Sequence, residues 1–210
     1  MIESTNEQMI NDSTEPSDVT PWVLPSHRKV GILSLIFTES ALFTIFVVAY
    51  LFYIGKSLNG PYPEDVLHFP FLASIALFAS SVTVVVAEKA FHRGKLPTFH
   101  LWWGVTILLG LFFIGFTAYE WYDLIVHENL TIQSNTFGST FYALVGLHAS
   151  HVIVGLILLS IVWILSVLGH VRSDQFERIQ MISWYWHFVD AIWVVVLLVV
   201  YVISTGLIKF

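Results

Sequence analysis

The chain has 210 residues, of which 56% are hydrophobic and only 11% are charged, with a formal net charge of −6. A soluble domain carries about 25% charged residues, so this composition excludes an ordinary water-soluble fold and predicts a protein embedded in lipid. The absence of cysteine excludes disulfides, zinc sites built on Cys, iron–sulfur clusters and thiolate ligation of haem.

The N-terminal segment differs from the rest of the chain in being polar and acidic. Its acidic residues are Glu3, Glu7, Asp12, Glu15 and Asp18. A basic segment followed by an apolar one does not occur here, so we expect no signal peptide. We expect a mobile cytoplasmic tail over residues 1–27 and a membrane domain over residues 28–210.

Five apolar stretches are long enough to cross a bilayer. A hydrocarbon core of about 30 Å needs about 20 apolar residues in a helix. The stretches cover about residues 31–54, 69–87, 101–119, 140–168 and 184–208. The sequence therefore predicts an all-α, polytopic membrane protein of five helices in a bundle, with its longest linker at residues 120–139.

The distribution of Lys and Arg predicts how the chain lies in the membrane. If the N-terminus is cytoplasmic, Lys56 and Lys209 lie outside, and seven basic residues lie inside. The inner ones are Arg28, Lys29, Lys89, Arg93, Lys95, Arg172 and Arg178. The positive-inside rule therefore predicts a cytoplasmic N-terminus and an external C-terminus.

Glu39 is a carboxyl group inside the first predicted span, about 12 Å from its cytoplasmic end. Ionisable groups at this depth are costly and mark functional sites. Two interpretations stay open: a carboxyl that exchanges protons, or a neutral side chain that hydrogen-bonds a neighbouring helix.

His148 and His151 lie three residues apart in the fourth span, so they share a face. The small residues Gly146 and Ser150 favour close approach of another helix. The histidines are either ligands of a metal ion or haem, or partners in hydrogen bonds between helices.

His187 and Asp190 repeat this spacing in the fifth span, where a pair one turn apart can neutralise its own charges. Asp190, His151 and Glu39 come to similar depths in the membrane. We therefore expect a buried polar cluster that joins the first, fourth and fifth spans.

Charged pairs at the ends of two spans are expected to be in contact with water. They are Glu88 with Lys89 inside, and Glu120 with Asp123 outside. Phosphate-binding Gly loops, HExxH and a repeated Glu-x-x-His are absent. Nothing in the sequence therefore indicates that this chain catalyses a reaction by itself.

Four segments are very similar to those of cytochrome c oxidase subunit III, in the haem-copper oxidase subunit III family. They are 184–193 (WYWHFVDAIW), 138–155 (GSTFYALVGLHASHVIVG), 37–40 (FTES) and 118–122 (AYEWY). The family usually has Gly-Leu between the two histidines, where this chain has Ala149-Ser150. The resemblance covers about residues 28–205, and the chain is similar to a short bacterial form that lacks the first two of seven helices.

The resemblance implies an accessory subunit without a redox centre, in the cytoplasmic membrane of a bacterium. Haem and copper are then expected in partner subunits I and II, with a small subunit IV as a further partner. The implied roles are phospholipid binding in a cleft, oxygen access and proton uptake, in a complex that takes electrons from cytochrome c. No nucleic acid is expected as a partner.

The resemblance also assigns the polar positions. Glu39 matches the family's intramembrane glutamate near the lipid cleft. The other characteristic polar positions are matched by His148, His151, His187, Asp190 and Glu120, which are expected to stabilise the bundle rather than to do chemistry.

Four alternatives remain open. Within the family, the chain resembles subunit III of a quinol oxidase or the small subunit associated with nitric oxide reductase. Outside it, the alternatives are a haem-binding membrane cytochrome and an independent proton-coupled transporter. A transporter predicts inverted repeats and broken helices, and the sequence has no such repeat.

Overall fold

The computed structural model describes residues 27–57, 60–67, 69–170 and 176–204. Over these ranges the chain forms five long helices, each apolar enough to cross a membrane, and no strand. They are α1 His27–Tyr53, α2 Phe71–His92, α3 Leu96–Val126, α4 Thr136–Val167 and α5 Phe176–Val196, which continues as a π-helix over Leu197–Ile203. A single turn, Pro63–Val66, lies between α1 and α2. The prediction of an all-α protein with five spans is confirmed.

Several predictions from the sequence lie outside the described residues. They concern the acidic tail before residue 27, the basic residues Arg172 and Lys209, and the end of the fifth predicted span beyond residue 204. The cytoplasmic location of the N-terminus stays a prediction, as does the domain boundary.

The helices extend beyond the apolar stretches that predicted them. α3 continues to Val126, so Glu120 lies within a helix, and the predicted linker over residues 120–139 is too long. α5 begins at Phe176, eight residues before the predicted start. Hydropathy detects only the part of a helix that crosses hydrocarbon, whereas backbone hydrogen bonding continues through the polar residues at its ends.

The helix ends have recognisable local causes. Gly94 has φ +70° in the short connection between α2 and α3, a conformation that favours glycine, and Pro97 follows in the first turn of α3, where a missing N–H costs nothing. Asn135 caps α4 by accepting a hydrogen bond from the Gly138 amide at 2.8 Å and donates to the Pro61 carbonyl at 2.9 Å. This side chain therefore joins the start of α4 to the loop after α1.

α5 lies at the centre of the bundle, in contact with α1, α2 and α4. α2 and α3 pack against each other as a hairpin. α1 lies at the periphery on α4 and α5, and only Phe43 and Tyr50 of this helix are buried. Phe43 meets the ring of His151 on α4 at 5.0 Å and that of Phe188 on α5 at 6.4 Å.

Trp186 of α5 fills the space between three other helices. Its side chain is completely buried, and its Nε1 donates to Ser80 Oγ on α2 at 2.9 Å. A Cβ atom on Gly110 of α3 would lie 2.9 Å from the indole, and one on Gly155 of α4 would lie 2.8 Å from it. The two glycines are therefore required for α3 and α4 to reach this ring.

Replacing Gly155 with alanine tests this packing. We expect Gly155→Ala to destabilise the fold by about 1–3 kcal/mol, because the ring must shift within a packed core. The readout is the thermal unfolding midpoint of the purified chain in mild detergent. Gly115→Ala in α3 is the matched control, since its new Cβ would meet nothing within 4 Å; equal midpoints for the two variants would contradict the packing described.

Candidate functional site

Glu39 of α1 and His151 of α4 form a polar pair between two helices. Glu39 Oε2 lies 3.1 Å from His151 Nε2, and the two side chains are 25% and 15% exposed. His151 Nδ1 lies 2.8 Å from the carbonyl oxygen of Leu147. Tyr185 of α5 donates to the carbonyl of His151 at 3.4 Å, so the third helix contacts the same site.

The hydrogen bonds of His151 define what this pair can do. A carbonyl oxygen can only accept, so Nδ1 carries a proton directed at Leu147. Nε2 and the carboxyl oxygen of Glu39 then share one proton, which gives either a neutral acid beside a neutral imidazole or an ion pair. The shared proton can therefore move between the two side chains without any change in their heavy-atom contacts.

The pair lies on the wall of a cleft between α1, α4 and α5 with a volume of about 640 Å³. Arg28, in the first turn of α1, lines the same cleft, and Leu35, Val154 and Leu158 give it apolar walls. The cleft therefore combines one cation at the end of a helix, apolar walls and a carboxyl–imidazole pair.

Asp190 and His187 of α5 lie on α2 rather than on the Glu39 pair. Ser81 of α2 donates to Asp190 Oδ2, and its Oγ lies 3.1 Å from His187 Nδ1. Asp190 is 5% exposed, and its Oδ1 is buried without a hydrogen-bond partner. The expected neutralisation of Asp190 by His187 is thus replaced by a bridge through the Ser81 hydroxyl.

The expected cluster of Glu39, His151 and Asp190 divides into two groups. Glu39 and His151 meet as anticipated, whereas Asp190 bonds to α2. The depth estimated from sequence position predicted that the three side chains lie at a common level in the membrane. It could not give the rotation of α5 about its axis, which turns Asp190 away from α1.

His148 is completely buried, and neither of its ring nitrogens has a hydrogen-bond partner. Its ring stacks on Trp193 at 5.1 Å with an interplanar angle of 26° and meets the edge of Phe113 at 5.8 Å. Of the two interpretations left open for the histidines, a hydrogen bond between helices is found for His151 but not for His148. Among the described residues, no group of three or more His, Asp or Glu side chains could hold a metal ion.

Glu120 of α3 accepts a hydrogen bond from Tyr201 at 3.0 Å. Tyr201 lies in the π-helical end of α5 and is 2% exposed. Glu120 is itself partly buried, so this end of α3 is joined to α5 by the contact with Tyr201. A π-helix widens the turn and is frequent at functional sites, and here it carries the tyrosine that meets the carboxyl group.

Comparison with known proteins identifies the family. The profile of the family described as cytochrome c oxidase subunit III matches residues 7–205. The chain belongs to this family. It is 31% identical to cytochrome c oxidase subunit 3 of Alkalihalophilus pseudofirmus, over 87% of this chain and 95% of that protein. The corresponding subunit of a Bacillus species is 34% identical over 85% of this chain and 86% of its own length.

A subunit named for a quinol oxidase is similar to this chain to nearly the same degree as the subunits named for cytochrome c oxidases. A probable quinol oxidase subunit 3 of Staphylococcus saprophyticus is 30% identical, over 84% of this chain and 89% of that protein. The resemblance to the subunit III family that the sequence motifs indicated is therefore confirmed.

Sequence reasoning missed the hydroxyl groups that hold α5 to α2. Ser74 accepts from the Trp193 indole at 3.1 Å, while Ser80 binds Trp186, and Ser81 binds His187 and Asp190. Small hydroxyl residues within an apolar span are typical of helix contacts in membranes. The hydroxyl residues of the second span are therefore the sequence feature from which these contacts could have been predicted.

Proposed function

We propose that this chain is the accessory subunit III of a respiratory haem-copper oxidase in the cytoplasmic membrane of a bacterium. The complex would pass electrons from cytochrome c to oxygen and translocate protons. Membership of the subunit III family and the five apolar helices support this assignment. Haem and copper belong to partner subunits I and II, and this chain contributes no redox centre.

The observation that supports a role in proton uptake is the contact between Glu39 and His151. The pair shares one proton and is only partly exposed, at the wall of an open cleft. A carboxyl–imidazole pair that shares one proton can relay a proton between its two side chains during turnover. The cleft is therefore the site at which this chain acts on its partner.

The same cleft suits a phospholipid. Arg28 would bind the phosphate of a headgroup, and acyl chains would lie along Leu35, Val154 and Leu158. Such apolar walls also admit molecular oxygen, which supports a role in oxygen access. With the N-terminus in the cytoplasm, the headgroup would lie in the inner leaflet, where anionic lipids meet basic residues.

The second candidate is subunit III of a quinol oxidase. The 30% identity to a probable quinol oxidase subunit 3 favours it. The electron donor binds elsewhere in such a complex, so the geometry of this chain is compatible with both donors.

Purification of the tagged chain from native membranes in mild detergent tests the assignment. We expect it to bring down an oxidase that contains haem and copper and consumes oxygen. The preferred donor, reduced cytochrome c or quinol, then distinguishes the two candidates. Recovery of the chain without an oxidase would contradict the proposal and favour an independent transporter; haem that stays on the separated chain would favour a membrane cytochrome.

Glu39→Gln tests the role of the carboxyl group. We expect the variant oxidase to keep its haem spectrum and initial rate but to lose activity over repeated turnovers, because the amide cannot exchange the shared proton. Oxygen consumption followed to exhaustion is the measurement. Glu128→Gln, at an exposed glutamate of the linker after α3, is the matched control. If Glu39→Gln keeps the activity of the wild type over repeated turnovers, the proposed role of Glu39 in proton uptake is contradicted.

A further inference from the structure

The contact between α2 and α5 contains a second set of titratable groups, separate from the Glu39 pair. Ser81 Oγ contacts both His187 Nδ1, at 3.1 Å, and Asp190 Oδ2. A serine hydroxyl has one proton to donate and two lone pairs to accept with. The single oxygen of Ser81 can therefore accept from one neighbour while it donates to the other.

Both charge states of Asp190 fit the same heavy atoms. When Asp190 is ionised, His187 Nδ1–H donates to Ser81, and the Ser81 hydroxyl donates to Oδ2. When Asp190 is protonated, Oδ2–H donates to Ser81, and Ser81 donates to the bare Nδ1 of His187. Only hydrogens move between these states, so no helix has to shift.

The burial of Asp190 makes its charged form costly. Its Oδ1 has no hydrogen-bond partner, and a buried carboxylate with an unpaired oxygen is costly unless it binds a proton or a cation. His187 is partly exposed. His187 is therefore less enclosed than the acid to which Ser81 connects it.

Other titratable groups lie on the helices around α5. Glu88 of α2 is close enough for its charge to act on His187. His148 of α4 stacks on Trp193, one turn beyond Asp190. Two partly buried acids pair elsewhere: Glu39 of α1 pairs with His151, and Glu120 of α3 with Tyr201.

We propose that Ser81, His187 and Asp190 form a proton-exchange site whose buried acceptor is Asp190. A proton binds His187 Nε2, the Nδ1 proton passes to Ser81 Oγ, and the Ser81 hydroxyl proton passes to Asp190 Oδ2. Asp190 becomes a neutral acid, Ser81 is regenerated, and His187 stays neutral with its proton on the other nitrogen. Release runs through the same atoms in reverse. The site is a property of this chain alone and does not depend on assembly with an oxidase.

Infrared spectroscopy of the full chain in lipid nanodiscs tests the proposal. The carbonyl stretch of a protonated carboxylic acid that disappears in Asp190→Asn identifies the Asp190 band. We expect hydrogen–deuterium exchange of this band to slow by about tenfold or more in Ser81→Ala, because the bridge is lost. Ser81→Thr keeps a hydroxyl and should restore the rate.

His187→Asn is a second, independent variant. Its amide can donate to Ser81 near the position of Nδ1, but it cannot pass a proton from one side to the other, so we expect equally slow exchange in a folded chain. Glu39→Gln should leave the Asp190 exchange rate unchanged, which separates the two sites. The proposal is overturned if Asp190→Asn removes no band of a protonated acid at any pH at which the chain is folded. It is equally overturned if exchange in His187→Asn or Ser81→Ala is as fast as in the wild type, since a purely structural hydrogen bond would give that result.

Discussion

The indole of Trp186 determines how the helices of this protein can pack. In lipid, apolar surfaces gain little by leaving their solvent, so helices associate through close packing and hydrogen bonds. Trp186 provides both, because its Nε1 bonds to Ser80 on α2 while its ring lies against Gly110 of α3 and Gly155 of α4. A large ring that must meet two glycines and one hydroxyl has a single orientation, and that orientation fixes the rotation of α5.

The polar sites follow from the rotation of α5. Next to Trp186 in sequence, Tyr185 turns toward the cleft with Glu39 and His151, and His187 turns toward Ser81 on α2. Asp190, one turn further along, reaches the same serine. The helix thus keeps two groups of ionisable side chains apart, one beside a cleft and one within the α2–α5 contact.

Hydropathy and depth predicted a good part of this structure. The five spans follow from composition, because only long apolar helices can cross the lipid. The estimated depths of Glu39 and His151 in the membrane predicted that the two side chains would meet. Depth could not predict that Asp190 faces α2, since this depends on how Trp186 packs against residues far away in sequence. The contact between Glu120 and Tyr201 was equally hidden, because it depends on a π-helical turn that has no sequence signal. A hydrogen bond was considered for His148, but its ring instead packs on Trp193. This stacking fills the space around the ring and leaves its two nitrogens without a hydrogen-bond partner.

The central claim is that the position of Trp186 organises α5 and, through it, both polar sites. Electron cryo-microscopy of the chain in its native complex in lipid tests this most directly. The account predicts density for the indole of Trp186 against Ser80, between the two glycines, with Asp190 on Ser81 and the Glu39–His151 pair on the opposite side of α5. An indole directed at lipid or at a partner subunit, or an Asp190 side chain joined to Glu39 and His151, would contradict it.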